Sequence, residues 1–300
     1  MTSLLLGPIL GITISFTTLY LIALGHGLFE RAGMLDLAID GVFFMSTGAS
    51  VLGAYSTGSP VLGSLLASAV AGITGIALAF LMTALPVSHG ALGLSMMFVG
   101  YGIGIILGYS VRISVGSILT FSYQLDSAQY ILLLFTALLI GVLVHLLLEK
   151  TKLGAMIKAC GENPHAAMAL GVDVLKVRLI VAGIGFALVG FGSSLFTLAW
   201  QRYWDIKSYT LGFGWLAFTI ALAGGRHPLV LMPLSLLFGG LYDNYMRLSA
   251  LLDLPVDISK SIPFIAALLA MLLYSKTKLG KILIPPAGLG KIFHREERAV

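Results

Sequence analysis

Charge is scarce along this chain. Of its 300 residues, 10% are charged and 58% are hydrophobic, and the mean hydropathy is +1.00. A soluble domain of this length carries far more polar surface, since about a quarter of an ordinary globular sequence is charged. Cysteine is almost missing: Cys160 stands alone, which excludes an intramolecular disulfide and carries no redox inference. No Lys or Arg precedes residue 30. The first apolar run therefore lacks the basic leader of a cleavable signal, and no A-x-A site follows it, so it reads as a membrane helix. Period-2 alternation is absent, which excludes an outer-membrane barrel. The six histidines, at 26, 89, 145, 165, 227 and 294, form no metal-ligand spacing with Cys or carboxylates. H-E-x-x-H, G-x-S-x-G and G-x-x-x-x-G-K-[ST] do not occur. The sequence thus offers no catalytic cluster, no metal site and no nucleotide-hydrolysing motif. A membrane enzyme is disfavoured, and the chain is expected to bind no cofactor itself.

Long apolar runs are what is present. Ser3–Leu24, Val61–Leu85, Gln129–Leu148 and Leu179–Trp200 are each long enough to cross a ~30 Å hydrocarbon core as a helix. Further segments at about Leu35–Tyr55, Gly90–Tyr109, Leu211–Ala223, Leu229–Tyr245 and Ile262–Tyr274 are apolar too. The predicted fold is an all-α, polytopic transmembrane bundle of about eight to ten membrane segments. Leu211–Ala223 and Ile262–Tyr274 are too short for a straight span, so tilted, broken or re-entrant helices are expected. Residues 1–300 read as a single transmembrane domain. Gly100, Gly104 and Gly108 repeat at four-residue spacing, either for close helix packing or for a bend around a pore.

The net charge of +5 would suggest nucleic acid only if it clustered on a soluble face. Instead eleven of the 18 Lys and Arg residues sit beside helix ends, in two places. Lys150, Lys152, Lys158, Lys176 and Arg178 fill a central loop, residues 149–178. Lys276, Lys278, Lys281, Lys291, Arg295 and Arg298 fill a tail, residues 275–300. The positive-inside bias places both in the cytoplasm, and nucleic acid is not expected as a partner. Both begin with KTKLG, at Lys150–Gly154 and Lys276–Gly280, as two similar stop signals or an internal repeat. Four segments lie between the two places, which satisfies parity and puts the turn Gly224–Pro228 on the cytoplasmic side. The first half leaves the N-terminus open. Five full crossings put it outside, and a re-entrant second segment puts it inside.

Two stretches break the apolar pattern. In FERAGMLDLAIDG, Phe29–Gly41, Asp36 and Asp40 are four apart and share a helical face. A carboxylate at membrane depth needs a partner, a cavity or water. Glu30 and Arg31 are candidates for pairing, Asp36 is a candidate helix cap, and both Asp residues are candidates for substrate contact. In ENPHAAMALGV, Glu162–Val172, Asn163 suits an N-cap and Pro164 the first helical position. Gly171 suits the left-handed residue that ends a helix. This describes a capped helix of about two turns, too short to stand alone in water.

These two stretches carry a family resemblance. ERAGMLDLAIDG is similar to E-R-x-G-V-L-N-L-G-x-E-G. KACGENPHAAMALGVDVLKVR is similar to R-A-V-G-E-N-P-x-A-A-x-x-x-G-I-x-V-x-x-x-R. LGFGWLAFTIALAGGRHPL adds a looser match to a glycine-rich helix followed by a G-x-x-x-P turn. Together, across residues 28–240, the chain resembles the permease subunits of ATP-binding-cassette importers of the branched-chain amino acid, ribose and nucleoside group, nearest to simple-sugar and nucleoside permeases. The resemblance implies a multi-pass protein of the cell (inner, cytoplasmic) membrane, surrounded by lipid. It implies ATPase subunits as partners that carry ATP-Mg, an extracytoplasmic substrate-binding protein, and a second permease. The short chain favours an unlike permease over a second copy. It also implies that the central loop is the coupling helix, docking through Gly161, Glu162, Asn163, Pro164, Ala166, Ala167 and Gly171. The expected cargo is a nucleoside, a simple sugar or a riboflavin-like molecule. The pathway candidates are Asp36 and Asp40, with Phe43, Phe44, Tyr55, Tyr101 and Trp215 as rings for a planar solute. Asp36 stands where the family has Asn, and Asp40 where it has Glu. The rival expectation is an ion-coupled carrier with Asp36 and Asp40 as its relay.

Overall fold

A computed structural model describes residues 2–115, 119–120, 125–205, 212–275, 277, 280 and 283–293, with side chains left aside at 2–11, 112–115, 119–120, 257 and 273–275. Most of the basic tail, including Lys276, Lys278, Lys281, Arg295 and Arg298, lies outside the described residues. So do residues 206–211.

The chain is a bundle of helices. In the first half these are α1 (Thr2–Arg31), α2 (Ile39–Thr57), α3 (Pro60–Ala84), α4 (His89–Val115) and α5 (Ser127–Lys150). The central loop holds α6 (Lys152–Glu162) and α7 (Pro164–Ala169). The second half has α8 (Val174–Leu195), continued by a π-helical turn (Phe196–Gln201), then α9 (Phe213–Ala223), α10 (Pro228–Asp243), α11 (Tyr245–Leu252) and α12 (Val256–Ser275). Two short strands, β1 (Leu119–Thr120) and β2 (Tyr203–Trp204), pair antiparallel. The short amphipathic α11, the π-helical turn and α6 are not foreseen in the sequence, because each is brief or interrupts a longer apolar run.

Burial sorts the helices. The α1 span Ile12–Arg31 is 89% buried, whereas the α4 and α5 spans are 22% buried. So α1 is an axle, with α2 beside it buried through most of its length, while α4 and α5 are peripheral. The outward faces of α3, α4 and α5 present Val61, Leu65, Ile73, Phe98, Ile106, Leu132 and Phe135. That apolar surface suits hydrocarbon, not water.

Helix direction follows from contacts near the central loop, here called the basic end. The carbonyl of Arg31 abuts Gly161, and Arg178 at the start of α8 reaches Ala32 and Thr83. Hence α1 and α3 both run toward the basic end. Residues on α2 and α4 pair in parallel, with Gly41 against Met97 and Gly48 against Gly104, so both run away from it. The first half therefore crosses five times, and the start of α1 lies opposite the basic end. The five-crossing alternative holds. Two boundaries move. α1 continues past Leu24 to Arg31, and helix α2 starts only at Ile39, after the irregular but largely buried stretch 32–38. Non-helical backbone at such depth is tolerated only where protein covers it.

The glycine repeat on α4 is a packing surface. A Cβ at Gly100 would lie 2.5 Å from the Gly41 backbone, one at Gly104 would meet Phe44, and one at Gly108 would meet Trp204. Gly102, on the other face, has nothing within 4 Å. Dispersion across a close backbone approach is what joins helices in lipid, where no hydrophobic drive remains. Gly100→Ile is therefore expected to destabilise the purified protein by more than about 1–3 kcal/mol, and Gly102→Ala to leave it within about 0.5 kcal/mol. Equal thermal unfolding of the two variants in detergent would contradict this packing.

Candidate functional site

At the basic end, α1 carries His26, Glu30 and Arg31, each about one turn from the next or adjacent. Glu30 and Arg31 close the helix beside the turn Gly224–Pro228. Arg226 in that turn donates from Nε to Glu30 Oε2 at 2.6 Å. Arg31 donates to the carbonyls of Gly225 (2.9 Å) and Arg226 (3.3 Å). The turn needs this support, since Gly225 and Arg226 both adopt left-handed backbone, φ +57° and +59°. For an arginine that conformation is uncommon. His26 lies between two carboxylates, with Nδ1 3.0 Å from Asp36 Oδ2 and Nε2 3.3 Å from Glu30 Oε2. His26, Glu30 and Asp36 are fully buried, and Arg226 nearly so. Two acids meet two bases there, which is how charge is tolerated out of water.

This corrects the pairing expected for Asp36. Neither Glu30 nor Arg31 pairs with it through its side chain. Its partner is His26, and its Oδ1 accepts the N–H of Ala38 at 2.8 Å. Asp36 is also not the N-cap of α2, which is Ala38. Its carboxylate instead organises the turn that leads into the helix. Glu30 Oε1 takes the N–H of Asp36 at 3.4 Å, closing the loop onto α1.

Asp40 belongs to a separate arrangement. Helix α9 has 11 residues and so rises only ~16 Å, about half a hydrocarbon core. Its N-terminus therefore lies near mid-depth, and Asp40 caps it. Oδ1 accepts the N–H of Gly214 at 2.7 Å and Oδ2 that of Gly212 at 3.4 Å. The Tyr101 hydroxyl donates to the same Oδ2. A carboxylate at a helix N-terminus satisfies free N–H groups and meets the positive end of the dipole. Because Asp40 stands in the first turn of α2, two broken-helix starts converge on one carboxylate, as in transporters whose sites are built from discontinuous helices.

The other candidates are placed as follows. Phe43 packs against Phe196 and Phe213 at 5.1 and 5.2 Å. Phe44 packs against Tyr101 and Trp204 at 5.9 and 6.2 Å. Trp215 is half-buried against Phe218, and Tyr55 is exposed. The structure thus joins Asp40, Phe44 and Tyr101, sets Phe43 beside them on α2, and leaves Asp36 in a different network. Asp36 and Asp40 have no hydrogen-bond partner in common.

In the central loop, Asn163 Oδ1 accepts the N–H of Ala166 at 3.0 Å, with Pro164 at the first position of α7. Gly171 ends it at φ +86°, where its N–H meets the Met168 carbonyl and that of Val172 meets Ala167. This is a Schellman-type close. Glu162, Asn163, Ala166 and Gly171 are exposed, while Gly161, Pro164 and Ala167 are buried. Gly161 is pinned between elements. A Cβ there would lie 2.2 Å from the Arg31 carbonyl, and the Gly161 carbonyl accepts from Gly288 at 2.9 Å. The segment 286–290 then returns to the α1–α2 connection, where Gly290 donates to Gly33 at 3.1 Å. Ala287 donates to Glu162 Oε2 at 3.1 Å. Burial pushes the Cys160 thiol up, which leaves it unreactive.

Three buried polar residues escape sequence reasoning. His26 reads as one polar letter in an apolar run, and Arg226 as a turn cation. Arg178 counts as a loop charge in the sequence, yet it is fully buried, donating from Nε to Ala32 at 3.1 Å. The available signal is an imbalance: two acids in an apolar run need bases, and the turn supplies one. Among the described residues, no group of three or more His, Cys, Asp or Glu could hold a metal ion.

The family described as branched-chain amino acid transport system / permease component matches residues 8–272. A protein of Haloferax volcanii named as a glucose ABC transporter permease is 27% identical over 80% of this chain and 77% of its own length. Two nucleoside ABC transporter permease proteins of Lactococcus lactis are similar as well. One is 26% identical over 51% of this chain and 48% of its own. The other is 29% identical over 35% of this chain and 29% of its own. The chain thus spans about half or less of these two. No solved structure matches it at the same stringency.

Removing one member of the Glu30–Arg226 pair strands a buried charge. Arg226→Met is expected to cost about 3–5 kcal/mol, and the double variant Glu30→Met/Arg226→Met much less than the sum. Additive losses in thermal unfolding would show that the pair is not coupled.

Proposed function

Because the chain belongs to the branched-chain amino acid transport permease family, and is a multi-pass ABC-transporter permease of the cell membrane, we propose that it is the permease subunit of an ATP-driven importer. Its cargo is a nucleoside, a simple sugar or a riboflavin-like molecule delivered by an extracytoplasmic binding protein. ATP-Mg is bound and hydrolysed on partner ATPase subunits, and this chain holds no cofactor. The names of its relatives support nucleosides and sugars. That two different nucleoside permeases of one organism are similar to this chain supports pairing with an unlike second permease.

One observation carries the coupling role. The exposed, doubly capped α7 is braced through Gly161 against the last carbonyl of α1. On this reading the ATPase subunit seats the exposed side of α7 from the cytoplasm, meeting Glu162, Asn163, Ala166 and Gly171. The buried members, Gly161, Pro164 and Ala167, set its pose. Motion of α7 pushes the end of α1. The ion pair to Arg226 passes it to α9, and Asp40, which holds the start of α9 from the first turn of α2, passes it on to α2. Both helices meet at Asp40, so displacement at the loop reaches mid-membrane. Packed networks with two discrete arrangements transmit motion in this way.

Two measurements test the role. Proteoliposomes with the cognate ATPase should take up solute only with ATP, and ATP-independent uptake by this chain alone would sink the proposal. Gly171→Val, or Asn163-Pro164→Gly-Gly, should abolish stimulated ATPase activity in a permease that still folds, because the first strains the left-handed residue and the second removes the cap. Undiminished stimulation in both variants would refute docking through α7.

A further inference from the structure

A groove of about 420 Å³ lies between α1, α5 and α10. Its walls are hydrocarbon: Ile12 and Phe16 from α1, Leu134 and Leu138 from α5, and Met232 and Leu236 from α10. Pro233, next to Met232, stands inside α10, where a missing N–H and a ring clash bend a helix. Leu236 is exposed, so the groove opens sideways, toward lipid. Concavities of roughly 300–1,000 Å³ are large enough to enclose most of a small ligand.

The depth of the groove follows from α5. Tyr130, Leu134 and Leu138 recur at four-residue spacing and share one face of the helix, each step descending ~6 Å. Tyr130 belongs to the first turn of α5, opposite the basic end. Tyrosine at a helix end sits at headgroup level, so the groove begins about one turn beneath the headgroups.

A cation is fixed at that level. Arg202 follows the π-helical turn, after an apolar helical span of 28 residues from the basic end. Such a span rises ~42 Å, enough to carry Arg202 past the hydrocarbon core. Its Nη2 donates to the Tyr130 hydroxyl at 3.1 Å and its Nε to the Ala199 carbonyl at 3.4 Å. Both acceptors are neutral, and no carboxylate pairs with Arg202 among the described residues. A guanidinium has five N–H donors, so the remaining ones are left for a ligand. Asp126, one turn before Tyr130, is engaged elsewhere, accepting the N–H of Gln129 at 2.7 Å in its capping box.

We propose that the groove and Arg202 hold one phospholipid of the leaflet opposite the basic end. Its phosphate sits on the Arg202 guanidinium and one acyl chain lies along Leu134 and Leu138. Hydrocarbon fills any apolar hollow at membrane depth, so the groove alone would take passing lipid. The anchored cation makes the lipid resident, because arginine grips a phosphate with parallel N–H bonds and a basic site between membrane helices selects headgroups. A phospholipid brings an anion and a chain at the required spacing by its own structure. Bound there, it ties the peripheral α5 to the axle α1 and to α10.

The test is native mass spectrometry of the permease complex purified in mild detergent and titrated with phosphatidylglycerol. One phosphatidylglycerol is expected to be retained saturably, and millimolar inorganic phosphate should not displace it. Arg202→Gln should weaken retention by about tenfold or more. Leu138→Trp, which fills the groove and leaves the cation in place, should weaken it comparably and decides the matter if Arg202→Gln does not assemble. Phe135→Trp, on the exposed side of α5, should keep the unsubstituted value. Equal retention in the Arg202 and Leu138 variants would overturn the site, as would displacement by inorganic phosphate. Crosslinking from Leu236→Cys to a second permease, with Cys160 buried, would show that protein covers the groove and would overturn it too.

Discussion

The buried ion pair between Glu30 and Arg226 holds the rest of the arrangement in place. It joins the end of the central helix α1 to the turn between α9 and α10, two elements 196 positions apart in the chain. Charged groups of this kind are costly inside a bundle and persist where each is fully answered. Here the answer is a closed set. Arg226 meets Glu30, Glu30 meets His26, His26 meets Asp36, and Arg31 takes the carbonyls of the strained turn. Fixing α1 against this turn fixes where α9 ends. A helix of 11 residues then has to begin at mid-depth, where Asp40 caps it. The position of the candidate site is a consequence of the charge lock beneath it.

The same lock gives the cytoplasmic loop something to push on. Gly161 lies directly under the Arg31 carbonyl, and residues 286–290 lace that contact to the α1–α2 connection. A capped helix of six residues has little stability of its own. Its rigidity comes from both caps and from the buried side of α7. Small residues therefore recur in the loop for two different reasons: Gly161 and Ala167 are small because they are packed, and Ala166 and Gly171 lie on the exposed side.

Much of this was legible in the residues. Apolar run length gave the bundle, and Asn163, Pro164 and Gly171 specified the caps of α7, because caps are local chemistry. The four-residue glycine spacing on α4 allowed either a close packing face or a bend around a pore, and the contacts of Gly100, Gly104 and Gly108 decide for packing. What was not legible is long-range. Nothing near Glu30 says that its partner is Arg226, and nothing near Asp40 says that it caps a helix that starts 173 positions later. The spacing of Asp36 and Asp40 suggested one helical face and a shared role, but the break at residues 32–38 sends them into separate networks. Helix periodicity cannot report a break that other elements impose. Arg178 misled for the same reason: its neighbours in sequence are loop cations, and its neighbours in space are Ala32 and Thr83.

The central claim is that movement of the basic loop reaches the far end of α2 through the Glu30–Arg226 lock. Pulsed electron–electron distance measurements test it most directly, with spin labels at Lys152 and Tyr55, both exposed, while the buried Cys160 stays unlabelled. In the complete complex, adding ATP should change the distance between these sites in the unsubstituted permease and leave it unchanged in Arg226→Met that still binds its ATPase. The same ATP-dependent change in both proteins would contradict the account.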